Sequence, residues 1–167
     1  MFRKFYPEAY VESAYAIDYE ALYAKGVKGI IYDIDNTLVE HGKPATERAV
    51  KLFDRLRQIG FDTCLISNNK EPRVKPFADA VGSKYVYDAH KPSRANYIKA
   101  MELMGTGLQS TYFIGDQLFT DVYGANRTGI PSILVKPIHP KEEIQIVLKR
   151  KLEKIVLFFY KRQRKDK

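Results

Sequence analysis

One cysteine, no tryptophan and only three histidines stand among the 167 residues. The single thiol, Cys64, excludes an internal disulfide, and with it the small stapled scaffolds of secreted proteins. His41, His90 and His139 have no partner at metal-ligand spacing, which argues against a histidine-ligated centre and leaves all three structural. No stretch of about 18 apolar residues occurs, so no membrane-spanning helix is expected. The N-terminus also lacks an apolar run. Arg3, Lys4 and Glu8 interrupt Phe2, Phe5, Tyr6 and Tyr10, against the pattern of a secretory signal. A cytoplasmic, reducing setting is the expectation, and Cys64, inside an apolar run, is expected to be packed rather than reactive.

What is present is an ordinary globular balance. Apolar residues make up 45% and charged residues 29%, enough for one domain with a real core. The net charge of +8 is unevenly placed. Residues 141–167 hold ten Lys/Arg against four Asp/Glu, a net +6, and residues 1–140 supply only +2. The basic character belongs to the tail. It points either to an anionic partner at that end or to a solvated helix that aids solubility.

Periodicity and turn residues give alternating strands and helices. Val27–Asp33, Phe61–Ser67, Tyr85–Tyr87, Thr111–Ile114 and Ser132–Val135 read as short buried strands. Thr46 caps a helix through Gln58 that Gly60 stops, with Ala49, Val50, Phe53 and Leu56 as its buried stripe. Further helices run from Glu71-Pro72 to Gly82 and from Ser93 to Met104, the latter with Ile98, Met101 and Leu103 near its inner face. Shorter ones cover Asp18–Ala24 and Asp121–Arg127, and a last helix runs from Glu142 to about Tyr160. This order predicts an α/β fold: a parallel sheet with helices on both faces, as one domain over residues 1–167 with its core at about 27–136.

In such sheets ligands bind at the carboxyl ends of the strands. The first strand ends in Asp33-Ile34-Asp35-Asn36-Thr37, the second in Ser67-Asn68-Asn69 and the fourth in Gly115-Asp116, with Asp121 five residues on. Lys91-Pro92 follows the third. Carboxylates gathered at one rim repel one another unless a cation joins them, and an all-oxygen cluster selects a hard ion such as Mg²⁺. A lysine and a serine beside them suit phosphate oxygens. Together these are the parts of a phosphoryl-transfer site.

These residues carry a resemblance. Asp33-Ile-Asp35-Asn-Thr37-Leu38, Ser67-Asn68, Lys91-Pro92 and Gly115-Asp116 through Asp121 are similar to the four motifs of the haloacid dehalogenase superfamily of phosphatases, over about residues 27–136. Within it the chain most resembles the YqeG branch, related to phosphatidylglycerophosphate phosphatases. The resemblance implies a Rossmann-like fold and a role for each residue. Asp33 is the nucleophile that becomes an aspartyl-phosphate, and Asp35 is first the general acid and then the base. That division needs Asp35 protonated while Asp33 stays ionised. Mg²⁺ is held by Asp33, the Asp35 backbone carbonyl and Asp116, with Asp121 near or behind it. Asp121 as a helix cap stays open as an alternative. Ser67 and Asn68 bind phosphate oxygens, and Lys91 stabilises the phosphorylated aspartate.

Superfamily members often carry an inserted cap domain. Here Asp35 and Ser67 are 32 positions apart and Ser67 and Lys91 are 24 apart, room for one helix and one strand each. The site is therefore expected to be capless and open, suited to a phosphate projecting from something large. Ile144, Val147, Leu148, Leu152, Ile155 and Phe159 share one face of the last helix, among many lysines and arginines. Such a helix can lie on an anionic membrane, with Phe2, Phe5, Tyr6 and Tyr10 as further anchors, or cover the edge of the sheet. The expected activity is Mg²⁺-dependent hydrolysis of phosphatidylglycerophosphate to phosphatidylglycerol, in phospholipid biosynthesis, by a peripheral protein on the inner membrane surface. The rival readings are a phosphatase of soluble phosphomonoesters or nucleic-acid ends, and a binding protein without activity.

Overall fold

The computed structural model describes residues 2–139 and 144–165. Six strands form one all-parallel sheet: β1 (Ala9–Val11), β2 (Gly29–Tyr32), β3 (Asp62–Ile66), β4 (Lys84–Val86), β5 (Thr111–Gly115) and β6 (Ser132–Val135). Their order across the sheet is β1-β6-β5-β2-β3-β4. The helices are α1 (Tyr19–Ala24), α2 (Glu47–Ile59), α3 (Glu71–Val81), α4 (Arg94–Met104), α5 (Tyr123–Thr128) and α6 (Ile144–Lys165). The chain lays β2, β3 and β4 outward in one direction, then returns to set β5 on the other side of β2. This reversal between β2 and β5 is where an open parallel sheet has its crevice.

Strand β2 reads Gly-Ile-Ile-Tyr and is buried at every position, because helices cover both faces. Ile30 and Tyr32 join the cluster of Leu52, Phe53, Leu56, Val74 and Phe77 from α2 and α3. Ile31 joins that of Tyr97, Ala100, Met101 and Met104 from α4 and Ala125 from α5. Burying a side chain such as Leu56 or Phe53, both fully buried here, contributes about 1.5–3 kcal/mol. Cys64 lies inside one of these clusters, so it is packed as expected. Only α2 separates β2 from β3 and only α3 separates β3 from β4, so no cap covers the rim.

The predicted elements are present with ends moved by a residue or two, except that the last helix runs to Lys165, past its expected end near Tyr160. Thr46 Oγ1 accepts from Ala49 N at 3.2 Å, and Gly60 ends α2 at φ 118°, which a side chain would disfavour. Four features differ. The edge strand β1 was not expected, since its three residues are all half-buried and show no alternation. Ile98 and Leu103 lie on the outer side of α4, whose buried face is Tyr97, Ala100, Met101 and Met104. The helix expected at Asp121 starts earlier, as a π turn over Leu118–Val122, so Asp121 sits inside a turn rather than capping it.

The fourth difference is the last helix. Its predicted start at Glu142 lies outside the described residues, as do the side chains of Ile144 and Val147. Leu148, Leu152, Ile155 and Phe159, expected to share one apolar face, are 44–58% exposed. The helix packs instead through Glu153, Val156 and Tyr160. Phe2, Phe5, Tyr6 and Tyr10 are half-buried against Leu118, Val122, Leu134 and Val156 rather than standing out as anchors. Tyr6 meets Tyr160 at 5.2 Å between ring centroids. No described helix is long and apolar enough to cross a membrane.

Candidate active site

The residues expected to carry the chemistry, Asp33, Asp35, Ser67, Asn68, Lys91, Asp116 and Asp121, reach the carboxyl end of the sheet around β2. Asp33, Asp35, Ser67, Asn68 and Lys91 line one cleft of about 100 Å³, together with Asn36, His41, Asn69, Gln117 and Thr120. Small-molecule pockets usually hold about 300–1,000 Å³, so this one suits a phosphoryl group and leaves the rest of a substrate outside. Asp116 and Asp121 join Asp33 in a buried cluster. The local turn has a physical cause. Asn36 takes φ 60°, a left-handed conformation that asparagine tolerates, and its N–H donates to Val39 O at 2.7 Å.

One carboxylate oxygen from each of Asp33, Asp116 and Asp121 lies within 4.8 Å of the others. Lys91 Nζ stands 2.7 Å from both Asp33 Oδ1 and Asp121 Oδ1. Thr37 Oγ1 is 3.1 Å from Asp116 Oδ1 and 3.4 Å from Asp33 Oδ2. The Gln117 N–H donates to Asp121 Oδ2 at 3.1 Å. Arg150 of α6 donates to Asp116 Oδ2 at 2.5 Å. Gly115 is required here, because a β-carbon would strike the Asp121 carboxylate and the Phe113 ring.

Burial dominates the electrostatics. It pushes Asp33 up to about 7; Lys91 opposes this and Asp116 adds to it. Asp116 and Asp121 are also held above the ordinary carboxylate range, first by burial, then by Asp121 acting on Asp116 and Asp33 on Asp121. Burial opposes the charge of Lys91, but Asp121 and Asp33 outweigh it and keep the amine protonated. Three buried carboxylates thus face two cationic side chains. That deficit of positive charge, with oxygen donors at this spacing, fits a hard divalent cation.

Asp35 is placed differently. Its Oδ1 accepts from Gly42 N and Arg73 Nη2, both at 2.8 Å, and its Oδ2 from Asn69 Nδ2 at 2.8 Å. Burial favours the neutral acid, yet Arg73 and the Gly42 N–H prevail and hold the carboxyl below its ordinary range. Its carboxylate is not part of the acidic cluster, so any share in holding a cation falls to its backbone carbonyl. Among protein groups alone, Asp33 is therefore the more easily protonated and Asp35 the ionised one, whereas the division expected from the sequence is for Asp33 on a cation. The cause is a buried site for the first and a guanidinium beside the second.

Ser67 Oγ accepts from Asn69 N at 3.1 Å and Asn69 Nδ2 at 3.2 Å, which leaves its proton for a phosphate oxygen. Asn68 Oδ1 accepts from Lys91 N at 2.7 Å and so fixes the loop that carries the lysine. Sequence reading missed Arg73, Arg150 and the positioning role of Thr37. Arg73 is the third residue of α3, in its first turn, and carries no motif of its own. Arg150 is one of ten basic residues in the tail, and nothing local marks it.

Comparison with known proteins gives the family of the chain. A family model described as HAD-hydrolase-like matches residues 89–143. The chain is 38% identical to a Bacillus subtilis (strain 168) protein named Probable phosphatase YqeG, over 98% of this chain and 96% of that one. It is 26% identical to the chloroplastic/mitochondrial phosphatidylglycerophosphate phosphatase 1 of Arabidopsis thaliana, over 93% of this chain but only 47%, about half, of the relative. In fold it is similar to the cobalt-bound deoxy-D-mannose-octulosonate 8-phosphate phosphatase of Haemophilus influenzae, with a TM-score of 0.52, 14% identity and coverage of 81% and 90%. An identity of 38% over nearly the full length to a protein named a probable phosphatase, with the family-model match and the parallel sheet, shows that the chain belongs to the haloacid dehalogenase-like hydrolases, among their phosphatases.

Proposed function

We propose that the protein hydrolyses a phosphomonoester through a phosphorylated Asp33, and that the substrate is phosphatidylglycerophosphate, giving phosphatidylglycerol. The observation that carries this reading is the Lys91-bridged cluster of Asp33 and Asp121, with Asp116, opening on a cleft of phosphoryl size. Asp33, Asp116, Asp121 and the Asp35 backbone carbonyl are the groups to hold Mg²⁺, which when bound neutralises the phosphate and the charge that develops on it.

In the first step an Asp33 carboxylate oxygen attacks phosphorus, and the bond from phosphorus to the leaving alkoxide breaks. Asp35 gives that alkoxide a proton. It starts ionised beside Arg73, so it must first gain one, and the approach of a phosphate dianion raises its affinity for it. Ser67 and the Asn68 loop orient the phosphate oxygens, and Lys91 keeps Asp33 in line. In the second step Asp35 takes a proton from water, the water oxygen attacks phosphorus, and the Asp33–phosphorus bond breaks. Arg73 favours this half, because it stabilises the ionised Asp35 that acts as base.

The lipid assignment is supported by the uncapped rim, by the name of the Arabidopsis relative, and by α6. That helix turns Leu148, Leu152, Ile155, Phe158 and Phe159 to solvent among lysines, the pattern of an element that lies on an anionic leaflet. The test is Mg²⁺-dependent phosphate release from phosphatidylglycerophosphate in mixed micelles, beside soluble phosphomonoesters and phosphorylated oligonucleotides, with Asp33→Asn in parallel. Release from the lipid, lost in the variant, is the expected result. Release from a soluble or nucleic-acid substrate alone keeps the mechanism and overturns the lipid. Release from none of them, or release that survives in the variant, counts against the mechanism.

A further inference from the structure

We propose that α6 is a working part of the active site, with Arg150 as a positioning residue that sets the Asp116 carboxylate for the cation; the inference rests on the cation reading above. The Arg150 guanidinium grips Asp116 at two points, Nη2 to Oδ2 and Nη1 to the backbone carbonyl, both at 2.5 Å. Glu153, one turn further, accepts from Arg150 Nη1 at 3.0 Å and from the Leu118 N–H at 3.0 Å. The helix thereby holds the segment from Asp116 to Leu118 by its backbone as well as by its acid. Asp116 Oδ1 is left toward Thr37 and Asp33, the side on which the three carboxylates converge.

Stability is a weak account of this fork. Buried ion pairs add little net stability, since desolvation offsets their attraction. The docking of α6 is supplied separately by Val156, Leu157 and Tyr160 against Leu118, Phe2 and Tyr6. What a planar fork supplies, and an apolar contact does not, is a fixed orientation of the group it grips. Groups that orient a metal ligand in this way usually change cation affinity or activity by about 10–100-fold when removed.

The experiment measures Mg²⁺ and Mn²⁺ binding by calorimetry for wild type, Arg150→Gln, Arg150→Lys and Val156→Ala, with thermal melting of each cation-free protein. Arg150→Gln is expected to bind the cations about 10–100-fold more weakly. Arg150→Lys keeps the charge but loses the fork, and is expected to fall short of wild type as well. Should the glutamine variant not fold, the lysine variant carries the test. Val156→Ala loosens the same helix without touching the fork, so it is expected to melt lower and bind cations as wild type does. For a small phosphomonoester, kcat should fall in the Arg150 variants while KM holds. Equal or tighter cation binding in Arg150→Gln overturns the proposal, because Arg150 is then only a competing charge. Full rescue by lysine, or a loss in Val156→Ala that matches Arg150→Gln, overturns it too. A wild type that binds no cation instead sinks the cation reading beneath it.

Discussion

Replacing Asp33 by asparagine should stabilise the cation-free protein at neutral pH while it abolishes turnover. Folded Asp33 keeps its proton up to about pH 7, whereas in the unfolded chain the carboxyl releases it near 3.8. Between those values the native state binds more protons than the unfolded one, so stability falls as pH rises through the window and is flat above it. The gap is worth on the order of 4 kcal/mol at neutral pH. In a domain of this size each kcal/mol moves Tm by about 2–4 °C, so the cost is on the order of 10 °C. Asparagine mimics the neutral acid and keeps an oxygen for Lys91, which also retains Asp121. The assay is thermal melting from about pH 4.5 to 7.5 of protein stripped of divalent ions by chelation and desalting. Wild type should melt lower as pH rises. Asp33→Asn should show a shallower fall, since Asp116 and Asp121 still contribute with the same sign, and should melt higher at the upper end. Adding Mg²⁺ at about pH 7.5 should raise wild type more than the variant. A wild-type Tm that is flat or rising across the window, or a variant no more stable than wild type at its top, would refute the argument that burial outweighs Lys91 at this carboxylate.

Arg73→Met should move the limb of the pH–rate profile that Asp35 governs to higher pH, since the guanidinium holds that carboxyl down. It should also lower kcat by part of the roughly 10²–10⁴-fold that general acid–base catalysis supplies, with steady-state kinetics across pH as the check. Gly115→Ala should destabilise by about 1–3 kcal/mol and weaken activity, because the new methyl group meets the Asp121 carboxylate; denaturant melts and phosphate release measure both. The double variant Leu152→Glu, Phe159→Glu should cut co-sedimentation with anionic vesicles by about 10-fold or more, given about 1.5–3 kcal/mol for each apolar side chain that is buried. Turnover of a soluble phosphomonoester should be untouched; if vesicle binding is too, the outward stripe is not a lipid-docking face.

The parts of this molecule that were legible in its sequence are those in which the backbone does the assembling. A parallel sheet brings the ends of β2, β3 and β5 to one rim whatever their side chains, so Asp33, Ser67 and Asp116 could be placed together without knowing a single contact. Contacts between a motif and an unmarked residue were not legible. Arg73 reaches Asp35 across 38 positions and Arg150 reaches Asp116 across 34, and either arginine in isolation looks like a solvated charge. Arg73 also explains why Asp35 rests ionised among protein groups alone and must gain a proton before it can act as the acid. The orientation of α6 was left open by the sequence for a related reason. Periodicity puts Leu148, Leu152, Ile155 and Phe159 on one stripe but does not say whether that stripe meets the sheet or a membrane. Here the rim offers Asp116 and the Leu118 N–H as partners, so Arg150 and Glu153 can be buried paired, and unpaired they could not. The aromatic N-terminal segment then closes over Val156 and Tyr160. The stripe is left in water, at about 25 cal/mol for each Å² that an apolar partner would cover. Under the lipid reading proposed above, that outward apolar face is the one that meets a second surface, and the lysines beside it favour an anionic surface over a second copy of the same basic helix.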